Sequence, residues 1–156
     1  IKKFISLLFI SQLVLSCGFK PTLKSFDNQN NSLVYYEISP ESSYVARQVL
    51  ISELQNLNKD EAKFLTKINI LEKEHAVNIK SSGSVDEYKI EVLIHFEVYS
   101  KYENTLLFES QSRGFENYDV SNSEYTNSLI KKEALERALS KAIQLMNIII
   151  QSKITE

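Results

Sequence analysis

The chain has 156 residues, of which 43% are hydrophobic and 24% charged, and these values are typical of one globular domain. Its formal net charge is −2, and without the N-terminal segment that holds Lys2 and Lys3 it carries 16 basic against 20 acidic residues. This balance argues against nucleic-acid binding, which depends on a basic surface. A single cysteine excludes an internal disulfide, so packing must hold the fold together.

The first 16 residues have the features of a secretory signal. Lys2 and Lys3 give a basic start, and an apolar run of 13 residues follows them, Phe4–Ser16. This run is shorter than the ~20 residues that a membrane-spanning helix needs, and it fits the hydrophobic region of a signal peptide. It ends in the sequence SCG around Cys17, which resembles a bacterial lipoprotein signal, where the cysteine is acylated and the chain is cut just before it.

We therefore predict residues 1–16 to be a lipoprotein signal peptide and Cys17 to be the lipidation site, carrying palmitate-like acyl chains. The alternatives are a buried N-terminal strand or an uncleaved anchor with an incidental cysteine. Several acyl chains would make a stable membrane anchor. Gly18 follows the cysteine where aspartate would favour the inner membrane, so by resemblance to known lipoprotein sorting we expect the periplasmic face of the outer membrane.

The mature chain begins with a polar, asparagine-rich stretch, and we predict that residues 17–32 form a lipidated tether. The domain is then expected to occupy residues 33–156. Leu33–Ile38 is rich in β-branched and aromatic residues and is predicted to be a strand. Ser39 is a candidate N-cap with Pro40 in the first helical position, which predicts a helix that ends near Asn58.

Three further strands are expected in the middle of the chain. They are Ala62–His75, Glu87–Ser100 after a turn around Gly83, and Thr105–Tyr118 with a β-bulge predicted at Gly114. In the first of them, Thr66, Ile68 and Ile70 share one face. The second alternates most clearly, with one apolar face made of Tyr88, Ile90, Val92, Ile94, Phe96 and Val98.

A long amphipathic helix is predicted from about Ser123. Two adjacent apolar stripes run along it, the first made of Ala134, Ala138, Ala142, Leu145 and Ile149, the second of Leu135, Leu139, Ile143, Met146 and Ile150. The element order is therefore β-α-β-β-β-α. We expect an α+β fold in which two helices pack on one face of a four-stranded mixed β-sheet, with the other face left mixed polar.

The sequence shows no catalytic constellation. His75 and His95 have no carboxylate or cysteine at the spacing that marks a metal site, and they are predicted to be surface strand positions. Cys17 has no fold around it to make it a nucleophile, and Glu72 and Glu74 are interpreted as a solvated strand edge. We therefore expect no catalytic residue, metal or cofactor, and a binding or assembly role. An envelope hydrolase is a further hypothesis with no residue set behind it.

Lysines recur through the second strand region. One interpretation is a solvated stripe that protects a sheet edge, and the other is contact with an anionic glycolipid. Alternation places three of them, Lys63, Lys67 and Lys73, on one strand face. The full set is Lys59, Lys63, Lys67, Lys73 and Lys80.

Two stretches of the chain together resemble one family. LSCGFKP around Cys17 resembles the lipidation site of alphaproteobacterial lipopolysaccharide-assembly lipoproteins, the LptE family. Phe115–Asn147 is similar to the end of that family, a strand followed by a helix with the pattern A-x-x-R-A. The matching positions are Tyr118, Val120, Ser121, Ser123, Tyr125, Ala134, Arg137 and Ala138.

The resemblance implies an LptE-like domain of two helices on a four-stranded sheet, which would assist folding of the outer-membrane β-barrel LptD and plug its lumen. It also implies lipopolysaccharide as a ligand, but it assigns no lipopolysaccharide-binding residue at a single position. The expected partners are therefore LptD, lipopolysaccharide and the membrane through the lipid anchor. The alternative hypothesis is a periplasmic lipoprotein that is an accessory subunit of another envelope machine, such as an ABC-type lipid transporter.

Overall fold

The structure is a computed structural model that describes residues 33–54 and 59–154. The elements are β1 (Val34–Ile38), α1 (Tyr44–Glu53), β2 (Phe64–Ile79), β3 (Val85–Ser100), β4 (Thr105–Asp119) and α2 (Glu124–Ile154). The strands form one sheet in the order β1-β2-β3-β4, in which β1 runs parallel to β2 and the other neighbours are antiparallel. This α+β fold with a mixed sheet confirms the predicted class and element order.

The predicted signal peptide, tether and lipidation site lie outside the described residues. Residues 1–16, the tether 17–32 and Cys17 therefore stay predictions. Within the described ranges, neither helix is long and apolar enough to cross a bilayer.

The core lies between the sheet and the two helices. Its strand side is the apolar face that alternation predicted for β3, where Ile90, Val92, Ile94, Phe96 and Val98 are all buried. Thr66 and Ile68 of β2 are buried beside them, as predicted. Every second side chain of a strand points to the same face, so burying one face in this way leaves the alternate positions on the side without helices.

The first helix is shorter than predicted and begins later. Its N-cap is Ser43, whose hydroxyl oxygen accepts a hydrogen bond from the Ala46 amide at 3.1 Å, so Ser39 is not the cap. Pro40 lies in a turn before the helix and not in its first position. The helix ends at Glu53, followed by the buried Leu54 in extended conformation, so it does not reach the predicted end near Asn58.

The second helix buries most of the predicted stripes, as residues Ala134, Ala138, Leu139, Ala142, Ile143, Met146 and Ile150. Leu145 departs from the prediction and is 41% exposed. Leu145 lies one turn from Lys141, on the side of α2 that faces the edge strand β4. The ammonium of Lys141 donates a hydrogen bond to the Phe115 carbonyl of that strand at 3.2 Å. The sheet ends at that strand, so it offers no further strand to cover Leu145.

The predicted bulge at Gly114 is wrong. Gly114 pairs with Val92 in regular register, and the irregularity between β3 and β4 lies instead at Val98 and Tyr99. A Cβ atom on Gly114 would lie 2.0 Å from the carbonyl oxygen of Ala138 in α2. The glycine is therefore required by the close approach of the helix and not by a distortion of the strand.

Candidate functional site: the open face of the sheet

The face of the sheet without helices is the candidate binding surface. At its centre two leucines pair across strands, Leu71 of β2 opposite Leu93 of β3, and Leu71 is 49% exposed. Phe115 of β4 lies opposite Glu91 in the next row and is 53% exposed. These side chains give a small apolar centre to a face that otherwise carries mainly polar and charged side chains.

Cations surround this centre. The ammonium of Lys89 lies 4.4 Å from the ring centroid of Phe115, within the range of a cation–π interaction. Arg113, opposite Leu93, forms an ion pair with Glu91 at 3.0 Å, and Lys73 lies opposite the same glutamate. We call Leu71, Leu93, Phe115, Lys73, Lys89 and Arg113 the central patch. It combines apolar groups with cations, the chemistry that suits an anionic amphiphile.

The lysines singled out from the sequence are divided among several places. Lys67 and Lys73 lie on the open face, as alternation predicted, with the ammonium of Lys67 5.0 Å from the Tyr99 ring centroid. Lys63 precedes β2, and Lys80 pairs with Asp86 at 2.6 Å in the turn before β3. Lys59 is in a loop, over the ring of Tyr35 at 5.6 Å. They therefore do not form one stripe.

Sequence reasoning singled out only Lys73 of the central patch, and the members that it missed include Lys89, Arg113 and Phe115. Each lies at a position of β3 or β4 that points to the open face. The pairing of Glu91 with Phe115 and of Leu93 with Arg113 shows which positions these are. Alternation in β3 signalled where Lys89 would point, but the weaker alternation of β4 gave no such signal.

Both histidines are exposed strand positions on the open face, as predicted. His75 lies 3.5 Å from Glu91. Strand pairing, however, brings His95 together with Glu97 and Glu109, and their ligand atoms lie within 4.8 Å of one another. Such a set could bind a divalent cation, but exposed acidic groups often cluster without one, and we assign no metal site.

The Glu97 carboxylate also accepts a hydrogen bond from the Tyr99 hydroxyl at 2.5 Å. This bond, with some burial and the charges of Glu97 and Glu109, raises the pKa of Tyr99 above its usual value. A shallow depression of about 430 Å³ beside this group is lined by residues that include Pro40, Lys67, His95 and Glu97. It opens widely to solvent and has a mixed polar lining, so it does not have the form of an enclosed ligand pocket.

Glu72 and Glu74, interpreted from the sequence as a solvated strand edge, lie on the helix side of the sheet opposite Val92 and Ile90. Glu72 accepts a hydrogen bond from the N-cap Ser43 at 2.5 Å. Glu74 accepts one from the Tyr118 hydroxyl and pairs with Lys131 of α2 at 2.8 Å. The two carboxylates thus contact different helices, Glu72 the N-cap of α1 and Glu74 a lysine of α2.

The Glu74 cluster is partly buried, and its charges shift two pKa values. Burial of Glu74 acts to raise its pKa, but the hydrogen bonds from Lys131 and Tyr118 and the lysine charge outweigh this and leave it below the usual value. Burial and the neighbouring carboxylate raise the pKa of Tyr118, whose ring stacks on Tyr88 at a centroid distance of 5.6 Å. The cluster therefore stabilises the joint between β2, β4 and α2.

Comparison with known proteins finds solved structures with a similar fold, but no matching sequence family. No protein-family model matches the chain, and no curated protein sequence matches it significantly. The structure is similar to that of a protein from Caulobacter crescentus described as a lipoprotein, with a TM-score of 0.65 and 12% identity, over 82% of this chain and 94% of that one.

Two further solved structures share the fold. Lipoprotein B from Nitrosomonas europaea gives a TM-score of 0.54 at 16% identity, covering 72% of this chain and 77% of that one. A minor lipoprotein from Acinetobacter baumannii gives 0.54 at 10% identity, covering 74% and 87%. The chain thus has a fold that occurs in bacterial lipoproteins.

Proposed function

We propose that the protein is an outer-membrane lipoprotein that assists assembly of the lipopolysaccharide-export barrel LptD, plugs its lumen and contacts lipopolysaccharide during transport. The observation that carries the proposal is the α+β fold, which is similar to that of a Caulobacter crescentus lipoprotein over 82% of the chain. It occurs here behind an N-terminal segment with the features of a lipoprotein signal at Cys17. The role is one of assembly and binding, and we propose no catalytic step.

The anchor and the domain have separate tasks in this proposal. Acylated Cys17 holds the chain on the periplasmic face of the outer membrane, since each buried CH₂ of an acyl chain contributes about 0.8 kcal/mol. The tether of residues 17–32 links the anchor to β1. The partner LptD follows from the resemblance of the Cys17 region and of Phe115–Asn147 to the LptE family.

The central patch supports contact with lipopolysaccharide. Lipopolysaccharide presents acyl chains beside phosphate groups, so a matching surface needs apolar groups and cations together. Leu71 and Phe115 supply exposed apolar area, and Lys89 and Arg113 supply charge. Since the chain as a whole is acidic, a local group of cations is what can attract an anionic lipid.

The experiment is affinity purification of the tagged protein from detergent-solubilised membranes, with mass spectrometry of the proteins that remain bound. We expect a very large outer-membrane β-barrel to be retained, and the N-terminal peptide to carry acyl chains on Cys17. A Cys17→Ala variant is the matched control, because it removes acylation and keeps the described domain intact.

Recovery of inner-membrane transporter subunits alone would reject the barrel partner and support the accessory-subunit hypothesis. An unmodified Cys17 within an intact N-terminus would reject the lipoprotein assignment itself. The two outcomes are separate, because one concerns the partner of the domain and the other the chemistry of the anchor.

A further inference from the structure

One end of the domain receives the chain that comes from Cys17. The amide of Lys63 donates to the Leu33 carbonyl at 2.9 Å, and the amide of Lys101 donates to the Lys63 carbonyl at the same distance. Phe64 and Ser100 pair at the ends of β2 and β3. The start of β1, the start of β2 and the β3–β4 turn therefore lie together, and we call this the anchored end.

The anchored end exposes apolar side chains. Tyr102 in the β3–β4 turn is 80% exposed, and Leu106 and Leu107 at the start of β4 are 49% and 46% exposed. A depression beside Leu107 is lined by Phe64, Phe108, Lys153 and Ile154, which extends the apolar surface to the last turn of α2. Exposed aromatic and aliphatic side chains grouped in this way mark a contact surface.

Lysines surround these apolar side chains. The anchored end carries four exposed lysines, Lys59, Lys63, Lys101 and Lys153, beside the acidic residues Asp60, Glu61 and Glu103. The ammonium of Lys101 donates to the Lys59 carbonyl, and that of Lys153 lies 5.6 Å from the Phe108 ring centroid. Their charges are thus held at the rim of the apolar surface.

The opposite end of the domain has the reverse balance. It is marked by the backbone hydrogen bond from the Val120 amide to the Asp86 carbonyl at 2.8 Å, which joins the end of β4 to the start of β3. Its charged residues beyond or at the strand ends are Lys80, Asp86, Glu87, Asp119 and Glu124. These charged residues give a net charge of +1 at the anchored end and −3 at the far end, so the anchored end is the more positive of the two.

We propose that the anchored end docks on the anionic lipid surface of the leaflet that holds the acyl chains. The docking rests on lipidation of Cys17, which is part of the proposed function, and it concerns the lipoprotein before it enters a barrel. Residues 17–32, at ~3.4 Å each, could span roughly 50 Å when extended, so the anchor alone sets no orientation. The orientation of the domain is set instead by the lysines, which are attracted to anionic headgroups, and by Tyr102, which lies at the level of the membrane interface.

The chain has no tryptophan, which permits a direct test with single-tryptophan variants. Tyr102 and Tyr125 are both 80% exposed, and they lie at the anchored end and at the opposite end. Tyr102→Trp and Tyr125→Trp, each purified with its anchor, are reconstituted in phosphatidylethanolamine vesicles that contain brominated phosphatidylglycerol. We expect several-fold stronger quenching and a blue-shifted emission for Tyr102→Trp.

Equal quenching of the two variants, or stronger quenching of Tyr125→Trp, would overturn the proposal. Vesicles of brominated phosphatidylcholine test the charge, and we expect quenching of Tyr102→Trp to fall at least twofold in them. Quenching that stays the same would overturn an anionic surface as the docking partner. A Lys101→Glu, Lys153→Glu double change in the Tyr102→Trp variant should also lower quenching, whereas Lys132→Glu on α2 should leave it unchanged.

Because Cys17 is the only cysteine of the chain, the docking surface can be tested separately from the proposed lipidation. If mass spectrometry finds Cys17 unmodified, lipidation in the cell is rejected. The protein that begins at Cys17 can then be coupled through its thiol to a maleimide-headgroup lipid, which supplies an anchor at the same position. Quenching that favours Tyr102→Trp in the coupled protein would support the docking surface, and its absence would reject it.

Discussion

Gly114 of β4 lies directly against the backbone of Ala138 in α2, and this contact fixes how closely the long helix packs on the sheet. A Cβ atom on Gly114 would lie 2.0 Å from the Ala138 carbonyl oxygen and 2.8 Å from the Ala142 amide nitrogen. Ala134, Ala138 and Ala142 are all fully buried on the helix side. Small residues on both elements therefore let the two backbones meet.

We expect Gly114→Ala to destabilise the domain by about 3 kcal/mol, because the atoms in the way are backbone and cannot move aside without shifting the helix. Urea denaturation followed by circular dichroism measures the loss. Gly83→Ala is the control, since a Cβ there meets nothing within 4 Å and only its φ of +85° is unfavourable. We expect that control to cost about 1 kcal/mol, and an equal loss in both variants would contradict the packing argument.

The N-cap of α1 provides a second test. Ser43→Ala removes the acceptor for the Ala46 amide and the hydrogen bond donated to Glu72, so we expect a loss of about 1 kcal/mol in the free energy of unfolding. Ser39→Ala removes only a 3.4 Å contact from the Glu41 amide and should cost much less. The same urea titration compares the two, and a larger loss for Ser39→Ala would place the cap where the sequence predicted it.

The Glu74 cluster predicts a pH-dependent contribution to stability. The folded-state pKa of Glu74 lies below the ordinary value of 4.5, so its ionised form stabilises the fold above that value. This contribution is lost as the pH falls through the lowered folded-state pKa. We expect Glu74→Gln to cost about 1–2 kcal/mol at pH 7, because the partly buried Tyr118 hydroxyl and the ammonium of Lys131 lose a charged partner.

Urea midpoints at pH 7 and at about pH 3 measure this effect. The difference between the native protein and Glu74→Gln should shrink at the acidic pH, because the native carboxylate takes up a proton as the pH falls toward and through its lowered folded-state pKa. Glu41→Gln removes a carboxylate from the exposed turn before α1 and serves as the control. A difference for Glu74→Gln that is the same at both pH values would show that its ionisation does not contribute.

The sequence predicted the element order and the core face of β3 because both follow from local periodicity. The positions from Ile90 to Val98 repeat every second residue, and burial of one sheet face requires that repeat. The start of α1 was mispredicted because Ser39 and Ser43 are both suitable caps in the sequence. In the fold Ser43 gains a further partner in Glu72, a residue of β2 that is 29 positions away in the sequence.

The same reason explains why the central patch could not be predicted in full. Arg113 and Phe115 reach Leu93 and Glu91 through the register of β3 against β4. That register contains an irregularity at Val98 and Tyr99, which the pattern of a single strand does not reveal. The glycine at position 114 does mark a special position in β4, but the reason for it is the close contact with α2 and not a bulge in the strand.

The central patch provides the last prediction, on lipopolysaccharide binding. Lys89 lies over the ring of Phe115, and Arg113 is 60% exposed in its side chain, so both cations can reach a phosphate without unfolding the sheet. We expect Lys89→Glu and Arg113→Glu each to raise the Kd for purified lipopolysaccharide about tenfold, since each replaces a favourable charge contact with repulsion. Titration of the immobilised protein by surface plasmon resonance measures the Kd.

Lys132→Glu on the outer side of α2 changes the net charge by the same amount and is the matched control. The Lys132 side chain is 59% exposed and forms an i,i+4 pair with Glu136 at 3.7 Å, so its change should alter stability by a few tenths of a kcal/mol. If binding uses the central patch, this control keeps the native Kd, and added salt weakens binding of the native protein more than that of Arg113→Glu. Equal weakening by all three changes would mean that net charge governs the attraction and that the open face of the sheet is not the binding site.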